Sequence, residues 1–232
     1  MKKLQLIYFN LRALCEAPRM MLHQSNISYS YEMAWNYFKK PWREVKQEII
    51  FHRLPLLIVD EEIEIWQSNA ISRYIAKLTN NIPKDDVMAA YADSIFESAH
   101  DLFFPLNPTI NIFTGDNHIN HKKNLIEDIL PRAFSNFNKL IDKFEGNFFL
   151  GKRAYYCDYN VFHHLSLALL IDENILNNYP KLNKFMSDFK SQNGIKEYLD
   201  SRPQLKGIGI QPKVIIDGKE YATGTNPDYN YK

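Results

Sequence analysis

The segment RLPLLIVDEEIEIWQSNAISRYIAKL (residues 53–78) contains two strand patterns and a helix pattern in immediate succession. The runs 55–59 and 62–65 flank Asp60-Glu61, which predicts a tight hairpin. From Gln67 to Leu78 apolar residues recur on one face, which predicts an amphipathic helix. A hairpin followed at once by a helix suits a small mixed sheet that is covered by helices.

Upstream of this segment the chain alternates strand and helix patterns. These are a strand at 3–9, a helix at 16–24, a strand at 28–33 and a short helix within 35–50. Pro18 and Pro41 lie at the heads of the two helices, where a missing backbone N–H costs least. The full order is therefore strand, helix, strand, helix, strand, strand, helix. It predicts an α/β unit with helices on both faces of a mixed sheet.

Downstream of this unit the apolar residues recur at helical spacing. A polar stretch with Pro83 precedes long helical patterns at 85–104, 120–144 and 155–171 and shorter ones at 182–189 and 195–202. We therefore expect an α/β domain at 1–80, a linker at 81–86, an all-helical domain at 87–206 and a C-terminal extension at 207–232.

The extension carries a β-branched run followed by Asp217-Gly218, which is a hairpin signal. A partly ordered tail is the alternative. Its apolar content favours packing against the rest of the protein, because disordered termini lack β-branched runs.

Composition excludes several classes of protein. The 232 residues are 45% hydrophobic and 24% charged, which is typical of a globular chain rather than a disordered one. A net charge of +1 gives no global field for a polyanion, so we expect no binding to nucleic acid or to an anionic membrane surface. No apolar stretch reaches the roughly 18 residues that a membrane span needs. Cys15 and Cys157 lie too far apart in the sequence to form a local metal-binding motif. The chain could form only one disulfide bond between them, which predicts a reducing, cytoplasmic location.

Three motifs carry a resemblance to a known family. They are residues 6–12 followed by Glu16, residues 53–60 and residues 67–76. Together they resemble the N-terminal domain of a cytosolic glutathione transferase, with the sigma class closest, which includes glutathione-dependent prostaglandin D synthase and the lens S-crystallins. The resemblance is strong over about 2–80 and weak over 85–206. It implies a thioredoxin-like N-terminal domain, an all-helical C-terminal domain and a homodimer.

The resemblance also implies roles for residues of the first domain. Tyr8 takes the position of the phenol that stabilises the glutathione thiolate; an ordinary core tyrosine is the alternative. Leu54 and Pro55 match a cis-proline turn whose preceding residue binds the cysteinyl part of glutathione as an added strand would. Gln67 and Ser68 match the pair that binds the γ-glutamyl carboxylate at a helix N-terminus, where Ser68 could also be a plain cap.

Four further residues complete the implied site. Trp42, Lys46 and Arg53 are expected near the glycyl carboxylate of glutathione. Asp101 matches an acidic residue that reaches across the dimer to the glutamyl amine, with a solvated helical charge as the alternative. No metal is implied. His163 and His164 are adjacent on a helix and point about 100° apart, unlike a metal pair.

Three functions stay open on these residues. The first is transfer of glutathione to a small apolar electrophile, with Leu14, Phe104, Ile110 and the extension as candidates for the electrophile pocket. The second is an isomerase of the prostaglandin D synthase kind, which Leu14 disfavours because that enzyme has a basic residue there. The third is a non-catalytic binding or structural protein, which Tyr8 disfavours. A disulfide chemistry at Cys15 is a weaker possibility, because Cys15 lies several residues too late in the chain.

Overall fold

The computed structural model describes residues 2–224, and its first part is a four-stranded sheet with helices on both faces. Its elements are β1 (Leu4–Tyr8), α1 (Glu16–Gln24), β2 (Ser30–Met33), α2 (Ala34–Phe38), α3 (Trp42–Val45), β3 (Leu56–Val59), β4 (Ile63–Trp66) and α4 (Ser68–Leu78). The strand order is β2-β1-β3-β4, with β1 and β2 parallel and the other pairs antiparallel. The predicted α/β arrangement is confirmed.

Position in the sheet explains the sequence of each strand. The central strand β3 reads Leu-Leu-Ile-Val and is buried along its whole length, as expected for a strand with packed layers on both faces. The edge strand β4 alternates Ile63, Glu64, Ile65 and Trp66 and is exposed or half-buried throughout. Asp60 and Glu61 both have positive φ in the hairpin between these strands.

The second part is helical, as predicted. It contains α5 (Asp86–His100), α6 (Phe103–Asn111), α7 (Gly115–Asn124), α8 (Leu130–Leu140), α9 (Tyr156–Ile171), α10 (Pro180–Lys190) and α11 (Ile195–Ser201). Helix α9 is apolar around most of its circumference because α5, α1, α6 and α10 surround it. Asp158 holds its first turn by accepting hydrogen bonds from the backbone N–H groups of Phe149 (2.9 Å) and Tyr155 (2.8 Å).

Two predicted helix bounds are wrong. The helix expected over 85–104 ends at His100, and α6 begins separately at Phe103 and includes Pro105 and Pro108. The helix expected over 120–144 instead covers 115–140, with a π-helical turn at Leu125–Ile129 between α7 and α8. This turn directly precedes Pro131, which has no N–H for the regular bond to the residue four positions earlier.

The C-terminal extension contributes β6 (Lys213–Ile216) and β7 (Lys219–Ala222) to a small antiparallel sheet, whose first strand, β5 (Gln204–Lys206), directly precedes the extension. Asp217 and Gly218 make the turn between β6 and β7 with positive φ values of 49° and 75°, as two-residue hairpins require. The side chain of Val214, in β6, is buried. Residues 225–232 of the expected extension lie outside the described residues.

None of the helices within 2–224 combines the length and the apolar character needed to cross a bilayer.

Candidate functional site

One end of the sheet gathers three of the sequence motifs. Ile7 of β1 is opposite Leu56 of β3, and Leu56 is opposite Trp66 of β4. One residue further along each strand, the same register places Tyr8, Pro55 and Gln67 in a row. Neighbouring strands are about 4.8 Å apart, so the row spans about 10 Å. That length matches an extended tripeptide at about 3.5 Å per residue.

Tyr8 ends β1 and points its hydroxyl toward the start of α1. The side chain is only 3% exposed. Burial raises the pKa of Tyr8 above its usual value, and nearby Cys15 raises it further, while the backbone N–H of Leu14 donates to the hydroxyl oxygen and opposes the shift. The phenol therefore keeps its proton at neutral pH. It can donate a hydrogen bond to an anion held near the N-terminus of α1.

Leu54 and Pro55 immediately precede β3, and the peptide bond between them is cis. Both residues are buried, and the turn that they form lies between Tyr8 and Gln67. The main chain of Leu54 thus lies at the middle of the row, next to the open end of the sheet.

The start of α4 has exposed donors. Gln67 is the residue before the helix, has a φ of 70° and makes no side-chain capping bond, and it is exposed. Ser68 is the first helical residue rather than the cap, and its hydroxyl donates to Oδ1 of Asn69 (3.3 Å). The first N–H groups of α4 therefore receive no cap from Gln67. Uncapped N–H groups and the positive end of the helix dipole form a carboxylate site.

The N-terminal half of α4 is fixed to α5 by an ion-pair network. Arg73 donates to Asp93 (2.8 Å) and to Glu97, and the amide of Asn69 donates to Glu97 (2.9 Å). The hydroxyl of Tyr156 also donates to Asp93 (2.5 Å). This network connects the sheet end to the helical part.

Trp42, Lys46 and Arg53 belong to the segment that connects β2 to the Leu54–Pro55 turn. Trp42 is buried, and its ring packs edge-on against Phe9, the residue after Tyr8, with centroids 5.3 Å apart. Lys46 follows α3 and is exposed, as is Arg53. Within residues 2–224 neither cation has a carboxylate partner within 4.0 Å. Exposed cations without a carboxylate partner suit a carboxylate ligand.

Asp101 lies apart from the row. It is exposed at the C-terminal end of α5, where it lines a surface groove with Arg132 and Ala133 of α8. Among residues 2–224 Asp101 has no ion-pair partner within 4.0 Å. Its expected role in the site of a second copy of the chain stays a prediction.

The extension bridges the two parts of the protein beside this site. Asn10, two residues after Tyr8, pairs with Gly224, and the hydroxyl of Thr223 donates to the carbonyl of Asn111 at the end of α6 (2.7 Å). Of the electrophile-pocket candidates, Leu14 is half-buried and Phe104 is exposed, whereas Ile110 is fully buried in the core. Ile110 therefore cannot line an open pocket.

The other reactive side chains do not form a site. Cys15 is 1% exposed, and burial raises the pKa of its thiol well above the usual value, which makes it a poor nucleophile. His163 and His164 are both buried in α9. Within the part of the chain that the structure describes, no three His, Cys, Asp or Glu side chains are grouped to hold a metal ion.

Sequence reasoning missed a buried charged cluster next to the site. Glu16, Arg12, Arg19 and Arg202 meet between α1 and the end of α11, and the hydroxyl of Tyr198 donates to Glu16 (3.0 Å). The signal available was Glu16 at the start of an otherwise apolar helix face. Arg12 and Arg19 are close to Glu16 in sequence, but Tyr198 and Arg202 lie 182 and 186 positions away, so no local pattern identifies them.

Comparisons with known proteins agree on one family. The family model described as "Glutathione S-transferase, N-terminal domain" matches residues 4–77, and "Glutathione S-transferase, C-terminal domain" matches residues 100–202. Glutathione S-transferase 4 of Caenorhabditis elegans is 30% identical over 207 residues, covering 87% of this chain and 98% of the relative. Glutathione S-transferase P of the same organism is 29% identical over 224 residues, covering 94% and 99%.

Solved structures show the same likeness. The Pi-class glutathione S-transferase of Onchocerca volvulus has a TM-score of 0.76 at 27% identity, covering 86% of this chain and 93% of that one. The structure described as "rat hPGDS complexed with a quinoline" has a TM-score of 0.76 at 21% identity, covering 87% and 98%, and so supports the fold alone.

Proposed function

The chain belongs to the glutathione S-transferase family, and on that premise we propose that it activates the thiol of reduced glutathione and transfers it to a small apolar electrophile. The row of Tyr8, Pro55 and Gln67 at one sheet end is the observation that carries this proposal. It aligns a phenol, a main-chain edge and a helix N-terminus over about the length of a tripeptide.

Each part of glutathione has a matching group in the row. The backbone of Leu54 pairs with the cysteinyl residue as an added strand would. Gln67, Ser68 and the first N–H groups of α4 bind the γ-glutamyl carboxylate. Trp42, Lys46 and Arg53 bind the glycyl carboxylate at the opposite end, and their lack of ion pairs within the described chain supports this role.

Tyr8 supplies the activation. A free thiol has a pKa of about 8.5, and lowering it by two units requires roughly 2.7 kcal/mol of preferential thiolate stabilisation. The protonated phenol of Tyr8 donates to the sulfur, and the N-terminus of α1 adds a favourable dipole. The thiol proton passes to solvent, and the thiolate sulfur attacks the electrophile and forms the thioether bond. In a substitution the leaving group departs with the electron pair of the broken bond; in addition to an enal, the electron pair of the C=C bond takes up a proton from solvent.

We also propose that the protein acts as a homodimer. Asp101 is exposed at the end of α5 and away from the row of its own chain, so it can assist glutathione binding only in a partner. Binding of glutathione in the partner would place the positively charged glutamyl ammonium beside the carboxylate of Asp101. Both cysteines are free and buried, which suits a reducing compartment such as the cytoplasm.

The class within the family is a finer question. Our sigma-class assignment rests on the three motifs at residues 6–16, 53–60 and 67–76, whereas two of the proteins reported above are named P and Pi and none is named sigma. The isomerase alternative is disfavoured by Leu14, which offers no cation near the sulfur. The carrier alternative is disfavoured by the placement of Tyr8.

The test combines binding with product analysis. Calorimetry should show glutathione binding, and incubation with an aryl halide, an enal and a cyclic endoperoxide should show which one reacts. Consumption of glutathione with a thioether product supports the proposal. Rearrangement of the endoperoxide without consumption would identify the isomerase, and binding without turnover the carrier. Absence of glutathione binding would overturn the transferase, the isomerase and the glutathione carrier, and would leave only the structural role.

A further inference from the structure

A cavity of about 170 Å³ lies between α1 and the C-terminal sheet. Its apolar wall comes from Phe9, Leu11 and Met33 on one side and from Val214 and Ile216 of β6 on the other. Tyr8, Leu54 and Gln67 do not line it, so it is distinct from the proposed glutathione site. Apolar cavities of similar volume hold one benzene ring.

The rest of the wall is charged, with cations in excess. Arg12, Arg19 and Arg202 face the cavity together with a single carboxylate, Glu16. Arg202 occupies that carboxylate with a 2.6 Å hydrogen bond, while Arg12 donates to the carbonyl of Pro203 (3.0 Å). Burial, and next the charge of Arg202, lower the pKa of Arg12 to about 10. The cluster therefore carries a net positive charge and is partly shielded from solvent.

Arg19 is the member with unused donors. Its side chain is 16% exposed, and its guanidinium lies over the ring of Tyr31, 4.3 Å from the centroid. Its distance to Glu16 is 3.8 Å, which is longer than a hydrogen bond, and its buried Nε has no partner. Among residues 2–224 the guanidinium of Arg19 makes no hydrogen bond, although such groups carry five N–H donors.

We infer that this cavity is a second binding site, for a small carboxylate whose apolar body is about the size of one aromatic ring. The carboxylate accepts hydrogen bonds from Arg19 and neutralises part of the surplus charge, and the apolar body packs against Met33, Val214 and Ile216. Since β6 forms one wall, the C-terminal sheet completes the site. Binding of such an acid connects the extension to α1.

The test uses 4-fluorobenzoate as the acid and 4-fluorobenzyl alcohol as its uncharged counterpart, both followed by fluorine NMR on the full chain. We expect saturable binding of the acid, at least tenfold weaker binding of the alcohol, and at least tenfold loss for Arg19→Met. Saturating S-hexylglutathione should leave the acid bound, because it occupies the proposed glutathione site. Displacement by S-hexylglutathione, or equal affinity for acid and alcohol, would overturn the inference.

Two variants that enlarge a side chain of β6 test the site without altering Arg19. Ile216→Trp should fill the cavity and abolish binding of the acid. Ile215→Trp adds the same bulk one residue earlier on the opposite side of β6, and Ile215 does not line the cavity, so binding should persist. Retained binding in Ile216→Trp would show that the acid binds elsewhere. Glutathione binding serves as the check that each variant is folded.

Discussion

Glu16 at the start of α1 accepts a 2.6 Å hydrogen bond from Arg202, which follows the last residue of α11. The carboxylate is only 1% exposed. Burial alone would raise the pKa of Glu16, but Arg202 and then Arg19 reverse the effect and hold it at about 2. The ion pair thus ties the α/β part to the end of the helical part, next to the cavity beneath the extension.

Glu16→Gln should destabilise the protein by about 3 kcal/mol or more, because removing one partner leaves buried guanidinium groups uncompensated. The free energy of unfolding in urea measures this. Asp128→Asn is the matched control, since the Arg132–Asp128 pair is exposed and should contribute under about 1 kcal/mol. In wild type, the contribution of Glu16 should be present above pH 4.5 and lost as the pH falls toward 2. Equal losses in the two variants would contradict the buried role.

Tyr8→Phe should leave the affinity for glutathione nearly unchanged, raise the pKa of the bound thiol, and slow turnover by roughly 10- to 1000-fold. The reason is that the phenol donates to the thiolate and not to the rest of the tripeptide. Ultraviolet titration of the bound thiolate and steady-state kinetics measure the two effects. Tyr179→Phe removes a distant hydroxyl, bonded to the carbonyl of Pro131, and is the control. Unchanged turnover in Tyr8→Phe would remove Tyr8 from the mechanism.

The protein should sediment as a two-fold dimer at micromolar concentration, because Asp101 can contribute only to a partner's site. Asp101→Ala should then weaken glutathione binding several-fold in calorimetry. Asp86→Ala changes an exposed charge at the opposite end of the same helix and should not. A monomer, or equal affinities for both variants, would leave Asp101 as a solvated helical charge.

His163 should make the protein sensitive to acid. The ring is buried in α9, and neither nitrogen has a hydrogen-bond partner among residues 2–224. Burial lowers its pKa from 6.5 to about 4, with Glu16 opposing the shift. The unfolded chain therefore takes up a proton before the folded one does, and the contribution of His163 to stability should fall by roughly 3 kcal/mol between pH 6.5 and 4. Burial raises the pKa of Asp158 to about 6, which acts in the opposite direction over the same range. The effect of His163 is therefore the difference between wild type and a variant that lacks this ring.

Urea unfolding of wild type and His163→Leu at a series of pH values measures this difference. The stability of wild type relative to His163→Leu should fall by roughly 3 kcal/mol from pH 6.5 to 4. Burial also lowers the pKa of His164, and that contribution is common to both curves. His121→Leu, which replaces an exposed histidine of α7, is the matched control. Parallel curves for wild type and His163→Leu between pH 6.5 and 4 would show that His163 is not buried as a neutral ring.

Local sequence patterns were sufficient to predict most of the strands and helices of the α/β part. Alternation and turn residues predicted the strand that carries Tyr8 and the strand and helix that meet at Gln67, and the register of the sheet then places both residues at one sheet end. The cis bond at Pro55 and the positive φ of Gln67 are outside such patterns, because the surrounding structure decides between backbone states of similar energy. Glu16 and Arg202 could not be paired from sequence, since their contact spans 186 positions.

The remaining prediction concerns the extension. Truncation after Lys206 removes β6, β7 and the following Thr223 and Gly224, which contact Asn111 and Asn10 on either side of the proposed site, and it removes the buried Val214 from its packing. KM for bulky electrophiles should therefore change more than KM for glutathione, and binding of an apolar dye should rise as covered surface is exposed.

Thr223→Val provides a milder version, because it removes the hydrogen bond to the carbonyl of Asn111 while keeping the size of the side chain. It should shift KM for bulky electrophiles in the same direction as truncation, by a smaller factor, since the extension stays folded but is held less firmly. Lys219→Ala, at the exposed start of β7, is the control. If truncation alters neither KM nor thermal stability, the extension does not pack over the site, and its contacts with Asn10 and Asn111 contribute nothing to electrophile access.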